Sequence, residues 1–234
     1  LRWSNDMVMM YQARRTPELE DQAVSSAIEF SSFMATYIEE RRNKPADDLI
    51  SHLIAAEEDG ARLTREEVIT TCILLLNAGH EATVHTLGNG IKALIEHGAQ
   101  TTWFTPAAIA GTVEEVLRYD PPLHMFTRFV YDDVKIGDHT LSRGDQVALM
   151  IGASGRDPNR WDDPNRFDPT RKVQKNHAFG AGIHFCLGAP LARLEMQIAL
   201  KSLFDHHPNL RITAAPKYAN LYHFHGLEAL WVQT

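Results

Sequence analysis

Phe179-Gly180-Ala181-Gly182-Ile183-His184-Phe185-Cys186-Leu187-Gly188 is the stretch on which the reading of this 234-residue chain turns. It sets one of two cysteines in a glycine-rich loop directly before Pro190 to His206, where apolar residues recur at helical spacing. Backbone N–H groups at a helix N-terminus carry partial positive charge and favour a thiolate, the form of cysteine that binds metals. Glycines let the backbone approach a large flat ligand with no Cβ in the way. An aromatic such as Phe179 can shield the sulfur from water.

Upstream of this loop the first half of the chain is helical. Residues 18 to 42 carry Leu19, Ala23, Ala27, Phe30, Phe33, Met34, Tyr37 and Ile38 at spacings of three and four, then a charged exit. A shorter helix from about Asp47 to Glu58 is expected to stop at Asp59-Gly60. Thr64 and Glu67 have capping-box spacing, and no proline follows until Pro106. The pattern predicts one helix from about Arg65 to Glu96, roughly 45 Å long. Its first half, from Val68 to Leu76, is apolar almost all round, which predicts burial on every side. Asn77-Ala78-Gly79-His80-Glu81-Ala82-Thr83 then puts polar groups and a glycine into that helix, a local breach of the kind that marks function.

Thr105-Pro106 is expected to open a further helix, which runs through Arg118 and stops near Asp120-Pro121-Pro122. From Phe126 to Met150 the period changes to two, with Gly137-Asp138 as a hairpin turn. Residues 155 to 176 read as a long loop, ordered or disordered, and Leu210 to Trp231 as short strands.

Composition sets the limits. With 44% hydrophobic and 23% charged residues and no Gly/Ser-rich or Pro-rich linker, residues 1–234 read as a single soluble domain. A net charge of −7 argues against nucleic acid as the main partner. No apolar run approaches the roughly 20 residues that span a bilayer, so no membrane association is expected. Two cysteines make no disulfide framework, and the start has no signal-peptide pattern, which together point to a reducing, cytoplasmic setting. Leu1-Arg2-Trp3 reads like entry into the middle of an element, so a longer parent chain is expected.

The cysteine loop resembles F-G-x-G-x-H/R-x-C-x-G of the cytochrome P-450 family, with every fixed position matched by Phe179, Gly180, Gly182, His184, Cys186 and Gly188. The resemblance implies that Cys186 is the axial thiolate ligand of haem iron, in a haem b (iron protoporphyrin IX) cofactor. It also implies that His184 and Arg128 bind the two propionates and that Phe179 packs near the sulfur. Glu115 and Arg118, three apart, resemble the family's E-x-x-R helix, and Arg166 stands where the resemblance places the arginine that locks onto that pair. Ala78-Gly79-His80-Glu81-Ala82-Thr83 resembles A-G-x-D/E-T-T/S, the segment over the haem. Glu81 matches the acid of the proton relay, but Ala82 occupies the usual threonine position. Thr83 lies about 100° round the helix and is no simple substitute.

By the same resemblance, substrate would meet Leu74, Asn77, Ala78, His124, Phe126 and Phe224. The implied fold is mainly α with small β-sheets, the cytochrome P-450 fold without its N-terminal portion. The implied activity is a monooxygenase acting on a small organic molecule, with electrons from ferredoxin and ferredoxin reductase. The alternative is a truncated haem-binding protein or fragment without turnover. Arg166, Arg171, Lys172 and Lys175, with Arg193, form a candidate basic patch for an acidic electron donor. His223-x-His225 would share a strand face but has no third ligand at metal spacing, so the sequence does not support a zinc site.

Overall fold

In the computed structural model, which describes residues 1–12, 14–58, 63–221 and 223–234, the capping box forms as its spacing predicts. The Thr64 N–H donates to Glu67 Oε2 at 2.6 Å and the Glu67 N–H to Thr64 Oγ1 at 3.2 Å, satisfying two donors that a helix start otherwise leaves without partners. The helix that follows is Arg65–Glu96 (α4), with the predicted bounds. Two units divide the chain, Leu1–Glu81 and Ala82–Thr234, and α4 contributes to both.

The first unit holds α1 (Arg2–Val8), α2 (Pro17–Asn43), α3 (Leu49–Glu58) and the start of α4. Thr16 caps α2 by accepting the Leu19 N–H, and Pro17 occupies the first helical position. Glu18 and Glu20 at its start and Arg41 and Arg42 at its end oppose the helix dipole. Its core joins Phe30, Met34 and Ile38 to Ile54, Val68, Cys72 and Ile73, with the Trp3 ring stacked on Phe30 at 5.1 Å. The expectation that α4 is buried on every side fails here. Leu74 and Leu76 are more than half exposed, because α2 and α3 cover one face of the helix and its apolar residues extend past that face. The stop expected at Asp59-Gly60 lies outside the described residues.

In the second unit, the end of α4 packs with α5 (Ile109–Tyr119) and α7 (Ala189–His206), and a short helix α6 (Ile151–Ser154) lies between them in sequence. Ala93, Leu94, Trp103, Phe104, Val113, Val116, Leu117, Met196, Leu200 and Phe204 make up most of its core. α5 starts later than its sequence suggests. Thr105 opens a turn rather than the helix, its carbonyl accepting from Ala108 and Ile109 while its hydroxyl turns back to the Thr102 carbonyl.

Among the described residues, four two-stranded antiparallel ladders complete the unit, in keeping with a mainly α fold with small sheets. β1 (Phe126–Phe129) pairs with β4 (Gln146–Leu149), and β2 (Val134–Ile136) with β3 (His139–Leu141). β5 (Arg211–Ile212) pairs with β8 (Val232–Gln233), and β6 (Lys217–Tyr218) with β7 (Leu227–Ala229). Gly137 takes φ +60 in the β2–β3 turn, as a tight hairpin requires. A bridge between Leu123 and Phe224 draws the C-terminal tail to the segment that follows α5. Residues 155 to 176 form an ordered loop, tied by its own turns and by α5.

Candidate functional site

The cysteine loop is held open by its backbone. Gly180 and Gly182 both have positive φ, +70 and +64, a region costly for residues with a Cβ. The Cys186 N–H donates to the Phe179 carbonyl at 3.0 Å, and the Cys186 carbonyl accepts from Ala189 at 3.3 Å, at the start of α7. Cys186 is exposed, in contrast to Cys72, whose burial pushes its thiol up from the ordinary value. Large apolar side chains around the thiol are bare: Ile183 is 98% exposed, Leu187 87% and Phe185 46%, with Leu191 on the following helix. An exposed thiol in a segment rich in bare apolar side chains, on a backbone thinned by glycine, suits a broad flat apolar ligand bound through sulfur.

Two sets of contacts tie α5 to the cysteine loop and to the loop that precedes it. Glu114 binds Arg193 of α7 and accepts from Asn176 Nδ2 at 2.9 Å, and the Arg193 guanidinium lies 4.6 Å from the centre of the Phe179 ring. The second is the buried Glu115–Arg118 pair, joined by two hydrogen bonds of 2.7 Å. Arg118 spends its remaining donors on the carbonyls of Gly155, Pro164 and Arg166 at 2.6 to 3.0 Å.

The third member of that cluster differs from the expectation. Arg171 Nε stands 3.4 Å from Glu115 Oε1, whereas the Arg166 side chain is 65% exposed and faces Asp168. Arg166 reaches the cluster only through its carbonyl, because the turn at Asp163 to Arg166 aims its backbone inward and its side chain out. The expected basic patch shrinks for the same reason. Arg171 and Arg193 are engaged with Glu115 and Glu114, which leaves Arg166, Lys172 and Lys175 exposed.

On α4, Gly79 has no neighbour that a Cβ would meet within 4 Å among the described residues. Glu81, Ala82 and Thr83 are half-buried. The Ala82 carbonyl accepts from the buried hydroxyl of Thr86 at 2.6 Å. Thr86 sits four residues on, on the face that Ala82 occupies. Of the expected substrate residues on this helix, Leu74 and Ala78 are exposed and Asn77 reaches Met7 Sδ at 3.7 Å.

In the second unit, Phe126, His223 and Phe224 form an aromatic cluster with His85: Phe126 to His223 is 5.7 Å, His223 to Phe224 4.9 Å, and His85 to Phe224 5.6 Å between ring centres. A Cβ on Gly226 would collide with the His85 ring, so glycine is what lets the tail run this close. Burial pushes the His124 and His223 imidazoles below their ordinary value. Arg128, on β1, donates to the Thr127 carbonyl, and His184 is exposed at the mouth of the loop.

The sequence profile of the cytochrome P-450 family matches residues 5–99 and 109–208. The chain belongs to the cytochrome P-450 family. Among its relatives, the polyketide-biosynthesis cytochrome P-450 PksS of Bacillus subtilis is 40% identical over 97% of this chain and 56% of its own length. The 6-deoxyerythronolide B hydroxylase of Saccharopolyspora erythraea is 39% identical over 90% of this chain and 52% of its own. A crystal structure of the P-450 BioI, in complex with an acyl carrier protein bearing hexadec-9Z-enoic acid, superposes with TM-score 0.92 at 36% identity, covering 98% of this chain and 60% of that one. This chain therefore spans a little over half the length of these P-450 relatives. The family carries a haem, and the bare thiol with its apolar surround fits that group. Among the described residues, no helix is long and apolar enough to cross a membrane.

Several residues of the P-450 site carry no local sequence signal. Glu114, Asn176 and Arg193 come together from three separate segments. His85 looks like one more polar residue of α4 until the tail is laid against it. Arg171 could have been singled out only by knowing which way the loop turns.

Proposed function

We propose that this chain is the haem-binding, C-terminal portion of a haem-thiolate monooxygenase that inserts one atom of O2 into a small organic molecule. The overall conversion takes a C–H compound, O2, two electrons and two protons to the alcohol and water. The observation that carries the proposal is the exposed Cys186 thiol at the start of α7, among bare apolar side chains. When bound, haem b supplies the oxygen-activating chemistry, and a thiolate ligand favours O–O cleavage.

The chain's own residues hold, orient and deliver. Cys186 Sγ would hold the haem iron. His184 and Arg128 hold the two carboxylates of the macrocycle, and Gly180, Gly182 and Gly188 keep the loop thin beneath it. Phe179, clamped by Arg193, covers one side of the sulfur. Glu115, Arg118 and Arg171 fix the loop that precedes it. Glu81 carries protons inward. Ala82 has no hydroxyl to orient them, and Thr83 lies off that face. Substrate-facing residues are Leu74, Asn77 and Ala78 in the first unit and His124, Phe126 and Phe224 in the second, a mainly apolar set suited to an extended or polycyclic organic molecule. Electrons come from a cytoplasmic ferredoxin and its reductase, docking on the exposed Arg166, Lys172 and Lys175.

The test is turnover of the haem-loaded protein with ferredoxin, ferredoxin reductase, NADPH and 18O2, using hexadec-9Z-enoic acid and testosterone as probes. One 18O atom in a product is the expected result. NADPH consumption that ends wholly in peroxide, with no labelled product, would instead favour a haem-binding chain without turnover.

A further inference from the structure

At the end of α5 the fold gathers three metal-ligating side chains that no feature of the haem loop requires. Asp120, His124 and His225 bring one carboxylate oxygen and two imidazole nitrogens to within 4.8 Å of one another. Asp120 Oδ1 and His225 Nε2 are 3.2 Å apart, and the His124 ring lies over that of His225 at 4.0 Å between centres. Two of the three lie four residues apart between α5 and β1, Asp120 and His124, and His225 is brought to them from the C-terminal tail. We propose that they form a binding site for a single transition-metal dication of the zinc type. The site is separate from the cysteine loop and does not depend on the reading of that loop.

The donor chemistry agrees. Two imidazoles and one carboxylate, with a fourth position left to water, are a common ligand set for zinc, whereas magnesium and calcium favour all-oxygen sites. Tetrahedral zinc with bonds of about 2.0–2.1 Å holds its ligand atoms about 3.3 Å apart. The Asp120–His225 separation already has this value, and a His124 ring nitrogen lies within 4.8 Å of both. The His124 ring packs directly against Gly152, where a Cβ would stand 3.0 Å from His124 Cδ2, so glycine is what lets the imidazole sit here. An open cleft bordered by His124, Met150, Gly152 and Arg156 leads to the carboxylate.

The surroundings hold the ligands in advance. The Tyr218 hydroxyl donates to Asp120 Oδ2, which leaves Oδ1 directed at the imidazoles. Ligating carboxylates are ordinarily fixed by such a second hydrogen bond. Asn89, fully buried on α4, donates its Nδ2 to the carbonyls of both Asp120 and His225, at 3.3 and 2.9 Å. The His225 N–H donates to the Pro122 carbonyl at 2.7 Å, and the Leu123–Phe224 bridge lies one residue away on each strand. A bound metal would therefore tie the tail to the segment after α5, two residues from Phe126 and one from Phe224 in sequence.

The competing view is that His225 only pairs with Asp120 as an ion pair. Titration with Co2+, followed through its visible ligand-field bands, and displacement by Zn2+ distinguish the two. The measurement is made on the haem-loaded protein and repeated on Cys186→Ser, so that the exposed thiol does not compete and the result stands apart from the haem reading. One ion per chain with tetrahedral-type bands is expected. His124→Gln and His225→Gln should each weaken Zn2+ binding at least tenfold, while His206→Gln on the exposed helix end should bind as the parent does. His225→Arg retains a cationic partner for Asp120 and should fold, yet it should lose the rise in Tm that Zn2+ gives the parent through mass action. The proposal is overturned if no stoichiometric ion binds, if His124→Gln and His225→Gln bind like the parent, or if His225→Arg keeps the full zinc-dependent rise.

Discussion

Arg171 places its Nε 3.4 Å from Glu115 Oε1, completing a buried cluster in which one carboxylate meets two guanidiniums and the Asp168 N–H. Arg171 also donates to the carbonyls of Asp162, Asp163 and Arg166, so a single side chain ties the loop to α5. Arg171→Ala should therefore destabilise the protein by about 1–3 kcal/mol, the usual cost of leaving buried polar groups unpaired. Arg166→Ala removes a side chain that is 65% exposed and leaves the carbonyl in place, so it should change stability by no more than about 0.5 kcal/mol. Denaturant titration of the two variants checks the ranking, and equal losses would contradict it.

Gly79 sits in the interior of α4 with nothing within 4 Å of the position a Cβ would take, among the described residues. On helix propensity alone Gly79→Ala should stabilise the protein by about 0.5–1 kcal/mol, a rise in Tm of roughly 1–4 °C for a chain of this size. If the glycine is there for oxygen and substrate rather than for packing, turnover should fall in the same variant. A more stable protein with unchanged turnover would remove that role.

For Ala82→Thr the expectation is improved coupling. The new hydroxyl would stand where the family pattern has its threonine, beside Glu81 and one turn before Thr86, whose own hydroxyl is committed to the Ala82 carbonyl. A positioned proton-transfer group contributes about 100-fold or more in rate, so even partial restoration should raise product formed per NADPH severalfold. An unchanged or lower ratio would refute the proton-delivery defect.

Hydrogen bonds from Thr170 hold the Asp168 carboxyl below its ordinary value; burial opposes this, and Arg166 and Arg171 reinforce it. A carboxyl depressed in the folded state binds fewer protons there than when unfolded, so stability falls with falling pH. Its contribution is complete above the ordinary carboxylate range, around pH 4, and is lost as pH drops through the folded-state value. Asp168→Asn should thus lower the denaturation midpoint at pH 7, and the gap to the parent should narrow below about pH 4. A gap independent of pH would contradict this.

Local chemistry made much of the fold legible. The Thr64–Glu67 cap, the bounds of α4 and the Gly137 hairpin depend on residues a few positions apart, and each forms as its spacing predicts. What depended on distant neighbours was not legible. The apolar run at Leu74 and Leu76 shows the helix's composition, not how many faces other elements cover. Whether Arg166 or Arg171 meets Glu115 depends on how the loop turns. The companions of His225 in the proposed metal site were not legible because Asp120 and His124 lie about a hundred positions earlier, and His225 meets them only through the tail's path past Pro122.

The central claim is that Cys186 binds haem iron through its thiolate, and the difference spectrum of the reduced haem-loaded protein under carbon monoxide tests it most directly. The parent should give the red-shifted Soret band of a thiolate-ligated carbonyl complex. Cys186→Ser should lose that band, while Cys72→Ser, a change at a buried thiol in the other unit, should keep it. A thiolate-type band that survives Cys186→Ser would contradict the account.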